Sequence, residues 1–142
     1  MEPAFPFSVP IQVRFNDVDI MGHVSNTVYQ NYYDTGKTDY FDHILPDLDY
    51  VNIGVVGASI KIDYLLPIFM KYKITVKTRI SVLGTKSFTM EHWLINHETG
   101  ELLSTCTAVL VCFDIKAGKS RVIPAHWRKA IMETEGDQLI IK

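Results

Sequence analysis

The sequence predicts an α+β fold, with an antiparallel sheet of about five strands covered on one face by a single long helix. Three observations predict it. Val28, Tyr32, Gly36 and Tyr40 follow one another at helical spacing, with Tyr29 and Tyr33 beside them. From Tyr50 onward the pattern is β, and the short turns "GTK" and "HETGE" join consecutive apolar stretches as hairpins do. No glycine-rich phosphate loop follows the first strand, which sets aside a nucleotide-binding βαβ arrangement.

The elements follow in chain order. The opening "MEPAFPFSVP" holds three prolines and suits an extended arm. Val9 to Phe15 alternate as a short strand. Val24 to His43 read as one helix whose apolar stripe is wide enough to be buried on more than one side. Gly36 costs that helix about 1 kcal/mol against alanine, a loss that close approach to a sheet would compensate. "LPDLD" breaks the helical pattern. "VNIGVVGASIKIDYLLPI" is a β-branched strand, bent or bulged at Gly54 and Gly57 and stopped or kinked at Pro67. In "YKITVKTRISVL", Ile74, Val76, Ile80 and Val82 face one way; Lys73, Thr75, Lys77, Arg79 and Ser81 face the other. "SFTMEHWLIN" returns as the next strand. "LLSTCTAVLVCFDI" is apolar on both faces, as expected of a central strand covered above and below. Pro124 starts a final helix, Trp127 and Ile131 form its apolar face, and Gly136 closes it. No repeat or linker interrupts this order, so residues 1–142 read as one domain.

Composition narrows the function classes. The 142 residues are 47% hydrophobic and 21% charged, the balance of a globular chain with a real core. The net charge is −2 and the cations are scattered singly, which argues against a nucleic-acid partner. No apolar run approaches a membrane span and no signal-peptide pattern is visible, so neither a membrane partner nor export is expected. Cys106 and Cys112 lie in one strand, about 20 Å apart and beyond bridging distance. A buried, reduced pair suits a cytoplasmic protein.

The chemistry is concentrated in "RFNDVDIMGHVSNTVYQNYYDTG", Arg14 to Gly36. Two readings of it stand side by side. In the structural one, Asp17 and Asp19 form turns, Gly22 is a turn residue, and Ser25 or Asn26 caps the helix. In the functional one, the helix start presents unpaired N–H groups and a positive dipole end, which suit a developing oxyanion. A carboxylate on the preceding loop, Asp19, then attacks a carbonyl or activates a water. Aspartate is a weak base, so the substrate should carry a good leaving group. A thioester fits, because a thiol of pKa about 8.5 departs readily as thiolate. Asp19 and His23 could also ligate a metal, but no third ligand stands at a convincing spacing. His92, His97 and His126 have no evident partner, and each reads as a surface or hairpin residue.

The same stretch resembles the signature of hotdog-fold acyl-CoA thioesterases of the 4-hydroxybenzoyl-CoA thioesterase-like group. That signature is a hydrophobic strand, D-x-D, two residues, G-H-V-N-N or a variant, and a tyrosine-bearing helix. Here Asp17, Asp19, Gly22, His23, Val24, Asn26 and Tyr29 carry it, and the order of elements agrees along essentially the whole chain. The resemblance implies a curved antiparallel sheet wrapped around the long helix, in homodimers or homotetramers with active sites at subunit interfaces. It implies Asp19 as the catalytic carboxylate, with His23 and Asn26 beside it. The backbone N–H groups of Ser25 and Asn26 would polarise the thioester carbonyl, and Gly22 and Tyr29 would meet the substrate. His23 would orient Asp19 or the substrate, or make a structural hydrogen bond. Asp17 reads as structural, holding the loop or pairing with Arg14, although exchange of roles with Asp19 stays open. Ser25 departs from the commoner Asn, and Gly36 and Lys37 from Ala and Arg; these departures bear on subgroup and acyl chain.

The resemblance thus implies hydrolysis of an acyl-CoA to free acid and thiol, without metal or bound cofactor. Alternatives are the same chemistry on acyl carrier protein and a non-catalytic module that binds acyl thioesters. A dehydratase would need an acid–base pair across the substrate, which His23 and Asp19 do not obviously form.

Overall fold

The computed structural model describes residues 2–142. Strand β1 (Phe7–Gln12) leads through two 3-10 turns, Phe15–Asp17 and Asn26–Val28, into helix α1 (Tyr29–Ile44). Strands β2 (Ile53–Tyr64), β3 (Lys73–Leu83), β4 (Ser87–Asn96) and β5 (Leu102–Asp114) follow. The short β6 (Lys119–Ser120), helix α2 (Ala125–Glu135) and the short β7 (Ile140–Ile141) complete the chain. The strands lie in the order β1-β3-β4-β5-β2, with β6 beside β5 and β7 beside β3. Every pairing is antiparallel except β3 with β7. The sheet curls around α1, which lies against β1, β3 and β4.

The aromatic stripe read from the sequence faces inward. Tyr29, Tyr32, Tyr33, Gly36, Tyr40 and Phe41 are the buried positions of α1. They meet the inward faces of β3, β4 and β5 in two apolar clusters. One gathers Tyr32, Val76, Leu94 and Cys106; the other gathers Tyr40, Ile80, Met90, Cys112 and Trp127. Between them Gly36 crosses a short polar row, Thr78 on β3 and His92 on β4, which pair directly in register. A Cβ at position 36 would stand 2.6 Å from Thr78 Oγ1 and 3.0 Å from Val76 Cγ2. The glycine is therefore required by the close approach of helix to sheet.

Helix α2 behaves as its sequence predicts. Trp127 and Ile131 are buried, Pro124 precedes its first turn, and Gly136 ends it at φ +66°. Its last residue, Glu135, reaches inward, where its Oε2 accepts the Tyr40 hydroxyl at 2.6 Å and the Ile80 N–H at 2.8 Å. This clamp ties α2 to both α1 and β3.

Several boundaries differ from expectation, each for a local reason. β1 ends at Gln12, and the chain turns at Phe15–Asp17 instead of continuing as a strand. Helix α1 starts later than Val24, because Val24 stays extended: it bridges Val18 and its N–H donates to Ile68 O. The β2 irregularity falls at Gly57–Ser59, as the glycines suggested. A second register shift between Ile80 and Val82 reverses the phase of β3, so Ser81 and Leu83 are buried and Val82 is half-buried. β4, not β5, is the middle strand of the main path, and β5 is fully covered on one face only. Both cysteines are free and buried along β5.

Candidate active site

Asp17 builds the platform for the candidate site. It is 9% exposed, and its Oδ2 accepts the Tyr32 hydroxyl at 2.7 Å and the Arg14 backbone N–H at 2.8 Å. Its backbone carbonyl accepts the Ser25 N–H at 2.8 Å. The contact with Arg14 is thus to the main chain; the two side chains form no ion pair. Burial and the Asp17 carboxylate beside it raise the Tyr32 phenol far above its ordinary pKa, so Tyr32 remains a donor.

From this platform the chain makes a narrow turn closed by the Val18–Val24 bridge. Asp19 N–H donates to His23 O at 2.9 Å, and Gly22 N–H donates to Asp19 O at 3.0 Å. Gly22 adopts φ +81°, a left-handed conformation that glycine accepts without steric cost. The exposed Asp19 carboxylate closes the turn from within: Oδ1 accepts the Met21 N–H at 2.9 Å and the His23 N–H at 3.4 Å. Its other oxygen, Oδ2, accepts no hydrogen bond among the described residues. The turn reading and the charged-group reading of Asp19 are therefore compatible, one for each oxygen.

His23 is half-buried, with its ring set edge-on to Phe69 at 4.9 Å. Its contact with Asp19 runs through the backbone, not the ring. Past it, the 3-10 turn at Asn26 opens α1. The Ser25 N–H, expected as an oxyanion donor, is already engaged by Asp17 O. The Asn26 N–H has no partner among the described residues, as the first amide of a helical turn commonly does not.

Asn26 stands on a groove between α1 and β2. One end is a cavity of about 220 Å³ lined by His23, Asn26, Tyr29, Tyr64 and Pro67. Tyr29 lies edge-on to Tyr64 at 4.8 Å, and the Tyr64 hydroxyl donates to Asn26 O at 3.4 Å. Asn26 and Tyr64 also line a middle chamber with Gln30 and Ile60. Gln30 and Ile60 then border a third cavity of about 320 Å³, floored by Tyr33, His92, Cys106 and Ala108 and rimmed by Asp34, Lys37 and Ser59. Gly22 and Asp19 lie on the turn beside the groove mouth and line none of these chambers. Of the expected site residues, the fold gathers His23, Asn26 and Tyr29 on one groove and leaves Asp19 exposed next to it.

Sequence reasoning missed the β2 side of the groove and the depth of His92. That histidine is 3% exposed, in the middle of the sheet, and not on the surface or in a hairpin. Burial first, and the Lys37 charge second, push its pKa down to about 3. The signal was present: Phe88, Met90, His92 and Leu94 share the inward phase of one strand. Cys106, also on the groove wall, is pushed up to about 12 by burial and is held as a thiol. No group of three or more His, Cys, Asp or Glu side chains suited to a metal stands together among the described residues. No helix among them is long and apolar enough to cross a membrane.

Residues 13–131 match the model of the thioesterase-like superfamily. Among solved structures, a thioesterase from Thermus thermophilus, complexed with coenzyme A and Zn, is 34% identical. The match covers 93% of this chain and 96% of that one, with a TM-score of 0.83. The long-chain acyl-CoA thioesterase FadM of Escherichia coli K12 is 22% identical over 123 residues, 85% of this chain and 93% of the relative. A chloroplastic acyl-acyl carrier protein thioesterase of Arabidopsis thaliana, ATL2, is 28% identical over 123 residues, 84% of this chain and 65% of the relative.

Proposed function

The chain belongs to the thioesterase-like superfamily, and from that premise we propose that it hydrolyses acyl-CoA thioesters to free acid and coenzyme A. One observation carries the reading most directly: the unpaired Asn26 N–H heads α1 where the groove opens between His23, Tyr29 and Tyr64. A thioester carbonyl seated there receives a hydrogen bond from a fixed donor at the positive end of a helix. That interaction strengthens as the oxygen becomes an oxyanion. Asp19 supplies the negative oxygen. It either takes a proton from a water that attacks the acyl carbon or attacks that carbon itself; in both routes the carbon–sulfur bond breaks to release thiolate, and in the second a water then opens the acyl–Asp19 anhydride to give the free acid and restore the carboxylate. His23 lines the mouth that admits the pantetheine end, and Gly22 lets the turn beside it close.

A second copy of the chain completes this site. β2 is an edge strand whose Val56, Ile60 and Tyr64 are each more than two-fifths exposed, an arrangement that invites pairing. The tips of the Asp19 turn, Ile20 and Met21, are also strongly exposed. A symmetric pair of subunits covers both surfaces and brings the Asp19 carboxylate of one subunit over the groove of the other. Coenzyme A is favoured as carrier over acyl carrier protein by the 34% identity to a thioesterase complexed with it.

The test is thiol release from a panel of acyl-CoAs and acyl carrier protein thioesters, with the assembly measured by light scattering. Asp19→Asn is expected to lower kcat by about 10²- to 10⁴-fold with a much smaller change in KM. Full turnover by Asp19→Asn together with loss in Asp17→Asn would reassign the carboxylate. No thiol release from any thioester would remove the hydrolase reading. Single turnover in ¹⁸O-water tests direct attack by Asp19: label in its carboxylate shows that an acyl–Asp19 anhydride formed and was opened by water at the aspartyl carbon.

A further inference from the structure

The geometry points to the Tyr29 hydroxyl as a second donor to the thioester carbonyl oxygen, beside the Asn26 N–H, and hence to Tyr29 as a catalytic residue. The inference rests on the thioesterase reading and adds a side-chain donor to its chemistry.

An oxyanion is commonly held by more than one donor. The sequence offers two amides here, those of Ser25 and Asn26, but the Ser25 N–H is taken by Asp17 O at 2.8 Å. One amide is left. Tyr29 stands one turn further along: its N–H donates to Asn26 O, closing the 3-10 turn that opens the helix. In such a turn, residues three apart lie one above the other. A helical side chain also leans back over the turn on its N-terminal side, so the Tyr29 ring covers the turn that begins at Asn26. Both residues line the cavity of about 220 Å³ at the groove mouth.

Tyr29 is 2% exposed. The other buried tyrosines of α1 bond their hydroxyls inside the protein: Tyr32 donates to Asp17, Tyr33 to Ser104 and Tyr40 to Glu135. The Tyr29 hydroxyl has no hydrogen-bond partner among the described residues. No fully enclosed side-chain nitrogen or oxygen among them lacks a partner, so this oxygen opens onto the cavity that Tyr29 lines. The ring is held in place by Tyr64, edge-on at 4.8 Å. Four neighbours on the cavity wall, Val24, Leu65, Leu66 and Pro67, are apolar. The remaining three, His23, Asn26 and Tyr64, are half-buried or exposed, and the Tyr64 hydroxyl already donates to Asn26 O at 3.4 Å. Tyr29 is thus the buried polar side chain of this wall, with an uncommitted donor aimed into the space where the carbonyl sits.

Burial first, and Tyr64 second, raise the phenol above its ordinary pKa of 10, so it stays protonated. It is therefore no base, and the thiolate departs without needing its proton. What remains to it is donation of a hydrogen bond to an oxygen. The carbonyl oxygen gains negative charge when the acyl carbon is attacked, and its bond to a fixed donor strengthens with that charge. The side chains of His23 and Asn26 face solvent and must shed water before they can serve. Tyr29 is already desolvated and held, so its contribution falls on the transition state. A donor directed instead at an amide oxygen of the pantetheine arm would change binding alone.

The experiment is Tyr29→Phe, which removes only the hydroxyl. The expected result is a kcat lower by about 10²-fold with KM within about threefold of wild type. The urea midpoint should not fall, because no partner within the protein is lost. A second readout needs no turnover. Analogues of octanoyl- and benzoyl-CoA with a methylene in place of the thioester sulfur present a carbonyl that cannot be cleaved. The ¹³C-edited carbonyl stretch of the bound ketone should lie below its value in water for wild type and move up in Tyr29→Phe. An unchanged kcat, a change confined to KM, a lowered urea midpoint or an unmoved stretch overturns the inference. If the wild type releases thiol from no thioester, the hydrolase reading fails instead. The ketone stretch then decides the Tyr29 contact, and ketones that do not bind overturn it.

Discussion

Replacing Gly36 by alanine tests the packing that sets the distance between helix and sheet. On an exposed helix the change would stabilise by about 1 kcal/mol, since alanine is the better helix former. Here the new Cβ would lie 2.6 Å from Thr78 Oγ1, 3.0 Å from Val76 Cγ2 and 3.3 Å from His92 Nδ1. Thr78 and Val76 are β-branched and stiff, and Thr78 Oγ1 is already bonded to His92. Rotating Thr78 away would leave a buried His92 nitrogen unpaired, at a cost of about 1–3 kcal/mol. Moving the helix outward would strain a packed core by a similar amount. Set against the propensity gain, the net expectation is a loss of about 0–2 kcal/mol. Urea unfolding would show it as a lower midpoint at unchanged slope. In a Thr78→Ala background the loss should shrink, because the nearest atom is gone, and the double-mutant cycle reads that coupling directly. Gly36→Ala more stable than wild type, with no coupling to Thr78, would refute the reasoning.

Two further predictions concern buried carboxyls. Tyr32→Phe removes a donor from Asp17 Oδ2 and should cost about 1.5–3 kcal/mol in a denaturation curve. It should also lower kcat/KM, because Asp17 holds the turn that carries Asp19; a loss below about 0.5 kcal/mol would show that the platform does not depend on this bond. Burial raises the Glu135 carboxyl above its ordinary 4.5, outweighing the Ile80 N–H and the Tyr40 hydroxyl that act to lower it. The folded chain then holds a proton that the unfolded chain has released. The contribution of Glu135 to stability is full below pH 4.5 and is lost as pH rises through the folded-state pKa. Glu135→Gln, which cannot titrate, should gain stability relative to wild type as pH rises across that window. Urea midpoints measured in parallel check it, and a pH-independent difference would contradict the assignment.

Much of the molecule is legible from local pattern. The aromatic stripe of α1, the hairpins of β3 to β5 and the ends of α2 all follow from residue spacing and turn chemistry, which act within a few positions. The turn from Asp17 to Gly22 is legible for the same reason: aspartates and a glycine ahead of a helical stripe form turns within a few positions, and Asp19 Oδ1 accepts the Met21 and His23 N–H groups inside that turn. Gly36 even announced a close contact, although not with what.

Tertiary structure decided the rest, because it depended on which distant segments became neighbours. β2 pairs with β5 at the sheet edge, and only that pairing opens the groove beside α1. His92 is deep because β4 occupies the middle of the sheet, a position set by strand order and not by the residues around the histidine. Ser25 loses its amide to the carbonyl of Asp17, and Asp17 becomes a buried anchor because Tyr32 reaches it from one turn into the helix. A residue's type and spacing determine what it can bond; the fold determines which of those bonds are taken and which atoms are left facing an open cavity.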